Sequence, residues 1–111
     1  MDGANKYKYY ITPLAEQDID SALNYISTNL CNTKAALDLL EEIGHTIDNI
    51  VAFPFSMPDC KIFLMTDENI RHTYVNNYCL IYEVKEASGQ INILRFLYCK
   101  IDFTKLEVKQ Q

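Results

Sequence analysis

Long apolar runs are missing from this chain. Nothing in it approaches the ~18 consecutive apolar residues of a membrane-spanning helix, so no membrane association is expected. The opening Met-Asp-Gly-Ala-Asn-Lys lacks the apolar stretch of an export signal, which makes a cytoplasmic protein the expectation. Glycine is scarce. Gly3, Gly44 and Gly89 are too few and too scattered to cradle a nucleotide phosphate. The four cysteines, Cys31, Cys60, Cys79 and Cys99, are 29, 19 and 20 residues apart, with no Cys-x-x-Cys pair and no histidine close by. That spacing gives no support to a zinc centre or redox motif. Cys79 and Cys99 fall in strand-like runs, where thiols behave as small apolar side chains. The two histidines, His45 and His72, are isolated, and read as structural or surface residues. No metal or cofactor is expected.

What is present is a core. A chain of 111 residues with 49% hydrophobic and 12% aromatic content makes one domain, with a core over about 7–103 and a polar tail over 104–111. The net charge of −5 and pI near 4.8 argue, for the molecule as a whole, against nucleic-acid binding by phosphate neutralisation. The charge is uneven. Between Pro13 and Ile50 stand seven acids (Glu16, Asp18, Asp20, Asp38, Glu41, Glu42 and Asp48) against Lys34 alone. From Lys61 onward, seven bases meet six acids.

Residues 7–12, Tyr-Lys-Tyr-Tyr-Ile-Thr, read as a strand. Thr12-Pro13 opens a helix, since threonine caps well and proline suits the first helical position. Ala15, Ile19, Ala22, Leu23, Ile26 and Leu30 form its apolar stripe, and Glu16, Asp18 and Asp20 read as a solvated, dipole-matched helix start. Asn32 or Thr33 caps a second helix running to about Ile50, with Ala36, Leu40, Ile43, Ile47 and Ile50 as its stripe. The short connection predicts an antiparallel helical hairpin. Pro54 and Pro58 end it. Strands follow at Lys61–Met65, Arg71–Val75, Tyr78–Lys85 and from Ile91, with turns at Asp67–Asn69, Asn76-Asn77 and Glu86–Gly89. The fold class is α+β: an N-terminal strand, then a helical hairpin on a mostly antiparallel sheet.

The run Asn-Ile-Leu-Arg-Phe-Leu-Tyr-Cys-Lys-Ile-Asp (92–102) poses the functional question. It reads as a strand at the heart of the sheet, yet it carries Arg95, and a buried unpaired charge costs several kcal/mol. Arg95 belongs to a cationic set with Lys61, Arg71 and Lys100, near Tyr98 and Phe103 in sequence. A two-residue turn at Asn76-Asn77 sets Arg71 opposite Tyr82. A four-residue turn at Glu86–Gly89 sets Lys85 opposite Gln90 and Arg95 opposite Leu80, so both arginines share a face; a five-residue turn separates them. The plainer alternatives are an ion pair between Arg95 and Glu83, a solvent-facing Arg71 and a surface Lys100.

The segments YYITPLAEQDIDSALNYI, NTKAALDLLEEI leading to FPFSMP, IRHTYVNNYCLIYEV and INILRFLYCKID, in this order and spacing, resemble the RelE/ParE superfamily of toxins from type II toxin–antitoxin pairs. The likeness runs from Tyr9 to about Phe103. It implies the βααβββ plan, a cognate antitoxin as partner, and one of two activities. RelE-like members cut messenger RNA on the ribosome without a metal; ParE-like members inhibit DNA gyrase. For the first, which heads the expectations, the resemblance makes Arg71, Arg95, Tyr98 and Lys100 the catalytic set and Lys61, Arg71 and Arg95 the substrate-binding one. Arg71 and Arg95 match arginines of the pattern and would clamp phosphate bidentately. Tyr98 stands where relatives carry histidine or tyrosine, Lys100 where arginine is frequent, and Phe103 where tyrosine is common. The second activity, or a silent relative of the same fold, remains as the alternative.

Overall fold

Thr12 shows how the chain turns from sheet to helix. In a computed structural model, which describes residues 7–55 and 70–99, β1 (Lys8–Ile11) runs directly into Thr12. The Thr12 hydroxyl donates to Ile93 O at 2.9 Å and accepts from Ala15 N at 3.2 Å, while its backbone N–H also donates to Ile93 O at 3.1 Å. One buried residue therefore ends a strand, caps a helix and ties both to a strand far along the chain. Helix α1 (Pro13–Asn24) follows, with proline in its first turn as expected. A single π-helical turn, Tyr25–Asn29, succeeds it, and Cys31 closes the turn in the left-handed region at φ 52°. Asn32 then caps α2 (Thr33–Ala52), its Oδ1 accepting from Ala35 N at 3.0 Å.

Three further strands, β2 (Ile70–Val75), β3 (Tyr78–Lys85) and β4 (Gln90–Tyr98), form an antiparallel meander. β1 joins it in parallel against β4, giving the order β1-β4-β3-β2. The architecture is the expected α+β one. Both turns also agree with expectation: Val75 pairs with Tyr78 across Asn76-Asn77, and Lys85 pairs with Gln90. Gly89, at φ 67°, supplies the left-handed residue the second turn needs, and its carbonyl accepts from Lys8 N. The expected strand at Lys61–Met65 and turn at Asp67–Asn69 lie outside the described residues.

Between the hairpin and the sheet lies the core. Ala15, Ile19 and Ala22 of α1 and Leu39, Ile43, Ile47 and Ile50 of α2 pack on Leu80, Tyr82, Val84, Ile91, Ile93 and Phe96. The α2 stripe differs from expectation at one place: Leu39 is buried and Leu40 is 48% exposed. Both positions are a turn away from Ala36 and Ile43, and the sheet lies on the Leu39 side. Leu30, beyond the π turn, is also exposed. Strand β3 is buried on both faces from Cys79 to Val84, which accounts for its apolar character on either side of the buried Glu83.

The register of β4 departs from expectation. Its pairing with β3 slips at Ile81/Tyr82, so Tyr82 faces Ile93 while Ile81 faces Arg95, and Leu94 is the extra residue of a β-bulge. Arg95 is therefore opposite Ile81 and not Leu80. The turn length was right; the bulge supplied the slip. β1 stops opposite Ile93, leaving the following edge of β4 to α1. Asp18 fills it. Its Oδ2 accepts from Arg95 Nε at 2.7 Å and from Phe96 N at 3.0 Å, and its Oδ1 accepts from Arg95 at 3.2 Å. The partner of Arg95 is thus Asp18. Glu83 instead accepts from Asn92 Nδ2 at 3.0 Å and lies 3.6 Å from Lys85 Nζ. Asp18 is no solvated helix-start acid: its side chain is 14% exposed and that of Arg95 12%.

Two stability outcomes follow from these contacts. Asp18→Ala takes the carboxylate from a nearly buried guanidinium and from a sheet N–H, and should cost about 3 kcal/mol in urea unfolding. Thr12→Val keeps the shape but loses the cap and the bond to Ile93, at about 1–2 kcal/mol. A third concerns Tyr82, whose buried hydroxyl has no hydrogen-bond partner among the described residues. Burial pushes its phenol up to about 12, against a downward pull from Arg71. Below pH 10 the folded and unfolded chains both hold that proton; between pH 10 and about 12 only the folded chain does. Stability should therefore fall as pH rises through this window. Tyr82→Phe should be neutral or stabilising at pH 8 and should shrink the alkaline loss, read as denaturation midpoints at pH 8 and pH 11.

Candidate functional site

A strand lays its side chains out in rows, and the rows decide which sequence candidates can meet. Arg71 shares a row with Tyr82 and Ile93, whereas Arg95 is in the next row with Ile81 and His72. Tyr82 belongs to the helix-facing core and Ile81 does not, so pleat alternation sets the two arginines on opposite faces. Arg71 is half-buried on the helix side, its guanidinium 5.1 Å from the centre of the Phe55 ring, and is no solvent-facing residue. Arg95 reaches along the strand edge to Asp18. Tyr98 pairs with Tyr78 at the far end of β4, roughly 17 Å from Arg71 by strand spacing. Lys61 and Lys100 lie outside the described residues, as does Phe103.

His72 sits on the face away from the helices, edge-on to Tyr74 with ring centres 5.6 Å apart. Burial pushes its imidazole below the ordinary 6.5 and so favours the neutral form. Among the described residues no group of three or more His, Cys, Asp or Glu side chains is placed to hold a metal. Cys31 and Cys99 are exposed and Cys79 is buried. No described helix is long and apolar enough to cross a membrane.

A concave surface does form, where sequence reasoning had not placed one. It is a groove of about 740 Å³ between the π turn, the start of α2, the β2–β3 turn and the end of β4. Tyr25, Ile26, Leu30, Tyr78 and Tyr98 supply much of its wall, with Asp18 and Asn77 at its polar margin. Tyr78 stacks on Phe96 at 4.8 Å and meets Tyr98 edge-on at 5.6 Å, so the sheet side of the groove is a continuous aromatic wall. Burial, with the neighbouring Tyr98 and Tyr25 phenols, raises the pKa of Tyr78. Such a lining binds apolar and aromatic side chains better than it handles a phosphate. Of the sequence candidates among the described residues, only Tyr98 reaches it. Tyr25 and Tyr78 were missed because the groove depends on the π turn, which no residue pattern announces; eight tyrosines in 111 residues was the available hint.

Comparison with known proteins bears on this geometry. The family model described as the ParE toxin of the type II toxin–antitoxin system parDE matches residues 9–103. A solved structure described as a chromosomal ParDE toxin–antitoxin system from P. aeruginosa superposes with a TM-score of 0.67 at 15% identity, covering 86% of this chain and 99% of that one. No curated protein matches. With the family model spanning the strand, the hairpin and the whole meander, this chain belongs to the ParE toxin family of type II toxin–antitoxin systems.

Proposed function

We propose that this toxin arrests growth by binding DNA gyrase through its aromatic groove, and that its cognate antitoxin relieves the arrest. The observation carrying the reading is the ion pair of Arg95 with Asp18. A guanidinium already satisfied by a nearly buried carboxylate would have to give up that bond before it could clamp a scissile phosphate, at a cost of several kcal/mol. The separation of Arg71, Arg95 and Tyr98 over two faces and three rows points the same way. Inhibition by contact needs no convergent acid–base set. It needs a well-formed apolar surface with anchoring aromatic residues, and Tyr25, Tyr78 and Tyr98 fit that role. The ParE name of the family also favours gyrase as target. Ribosome-dependent cleavage of messenger RNA by Arg71, Arg95, Tyr98 and Lys100 is the competing reading, which the sequence resemblance had put first.

One experiment separates the two. The chain is induced in a bacterium without its antitoxin while plasmid topology and transcript 5′ ends are followed together, and the purified chain is added to gyrase with relaxed plasmid. Loss of supercoiling, without new codon-linked 5′ ends, is the expected result; codon-linked ends on normally supercoiled plasmid would replace it with RNA cleavage. Tyr25→Ala combined with Tyr98→Ala should weaken gyrase inhibition at least tenfold while the helical circular dichroism persists.

A further inference from the structure

The aromatic groove is poor in cations. Among the described residues no lysine, arginine or histidine lines it, and its one carboxylate is that of Asp18. The helices that flank it share that sign. Lys34, the lone base among the seven acids of Pro13–Ile50, is already paired with Asp38 at 3.1 Å. A phosphate or carboxylate would find nothing in the lining to neutralise it, and an acidic partner would be repelled.

Its walls are tyrosines where leucines would serve a purely apolar site. Tyr25 is 52% exposed and Tyr98 43%, so both leave ring surface open. Tyr78 lies flat on Phe96, with 8° between the ring planes, and meets Tyr98 at 70°. The face of such a ring is negative, and a cation over it is attracted. Acceptor oxygens gather at the same place. Burial, then the Tyr98 and Tyr25 phenols, raise the Tyr78 pKa, an influence that phenols exert only at short range. Asn76 and Asn77 add amide oxygens to the lining. Asp18 also retains capacity: it accepts three bonds of the about four open to a carboxylate, and Oδ1 holds only one of them.

One side chain uses ring faces and clustered acceptors together. We infer that the groove receives an arginine of the target protein, its guanidinium stacked between Tyr25 and Tyr98, its N–H groups donating to phenol, Asn77 and Asp18 oxygens. Its methylenes lie along Ile26 and Leu30, as long cationic side chains do on apolar surface. Arginine suits the place better than lysine, because a guanidinium is planar, stacks on rings and is more weakly hydrated than an ammonium. A leucine or phenylalanine would cover the same apolar wall and leave the acceptors at the margin without donors. That the arginine belongs to gyrase rests on the target reading above; the chemistry of the groove does not.

The test uses the full chain with its tyrosine rings isotopically labelled for NMR. Four peptides, acetyl-Gly-Leu-Xaa-Leu-Gly-amide, carry arginine, citrulline, lysine or glutamate at Xaa; citrulline has the shape of arginine without its charge. Titration should move the Tyr25, Tyr78 and Tyr98 ring signals, with the arginine peptide about fivefold tighter than the citrulline one and the glutamate peptide weakest. Tyr25→Leu with Tyr98→Leu keeps apolar bulk, and should erase the arginine preference while citrulline binding and the thermal midpoint hold. Glu41→Gln with Glu42→Gln, which removes acids outside the groove, should leave the preference intact. The proposal is overturned if arginine binds no tighter than citrulline or lysine, if its preference survives the double leucine variant, or if it vanishes with Glu41 and Glu42; each result reduces it to diffuse attraction toward an acidic chain. If supercoiling is lost while the arginine and citrulline peptides bind alike, this proposal alone falls. If the arginine preference holds and gyrase is untouched, the target reading falls and the groove chemistry stands.

Discussion

The extra residue in β4 at Leu94 makes a local problem that α1 solves. A bulge disturbs the ladder and leaves carbonyls and amides without strand partners. Here Thr12, the residue that begins α1, bonds Ile93 O, and Asp18, two turns on, takes the Phe96 amide and the Arg95 side chain. Helix α1 is thereby fixed to β4 at both ends of the irregularity. The orientation of the hairpin, the depth of the core beneath it and the position of the π turn over the end of the sheet all inherit that attachment. Without the bulge, Arg95 would face Leu80 in the helix-side core.

This explains why a charged residue stands in a central strand. Buried ion pairs add little net stability compared with well-packed apolar residues, and their better-supported role is to select one arrangement over its neighbours. An arginine that must meet Asp18 cannot slide by one residue without losing its partner. The pair therefore specifies the register of β4 against a helix as well as against β3. Functional and structural explanations compete for the same side chain here, and geometry favours the structural one.

The fold was readable because its signals were local. Thr12-Pro13 at one helix start, Asn32 at the other, Asn76-Asn77 and Gly89 in the turns each declare themselves within a few residues. The site was not, because it depends on three features without such signatures. A bulge can be placed only once strand pairing is known, and the preference of Asp18 for Arg95 over solvent crosses 77 residues. The π turn that opens the aromatic groove looks in sequence like more of α1. Leu39 and Leu40 likewise offer the same spacing to their neighbours, and only the position of the sheet chooses between them. Resemblance located the family over the same residues that the family model matches, but it could not say which arginine was already occupied.

The parallel strand at the sheet edge sets the order of assembly. Thr12 and Ile93 are 81 residues apart, whereas β2, β3 and β4 are joined by tight turns and the two helices by a short loop. Closing the long loop carries the largest entropic penalty, so hairpin and meander can form before β1 has anything to pair with. A ribosome releases β1 first and β4 last. The nascent chain must therefore hold Tyr9 and Tyr10 unpaired until β4 has emerged, which delays a finished surface for any target until that strand is in place.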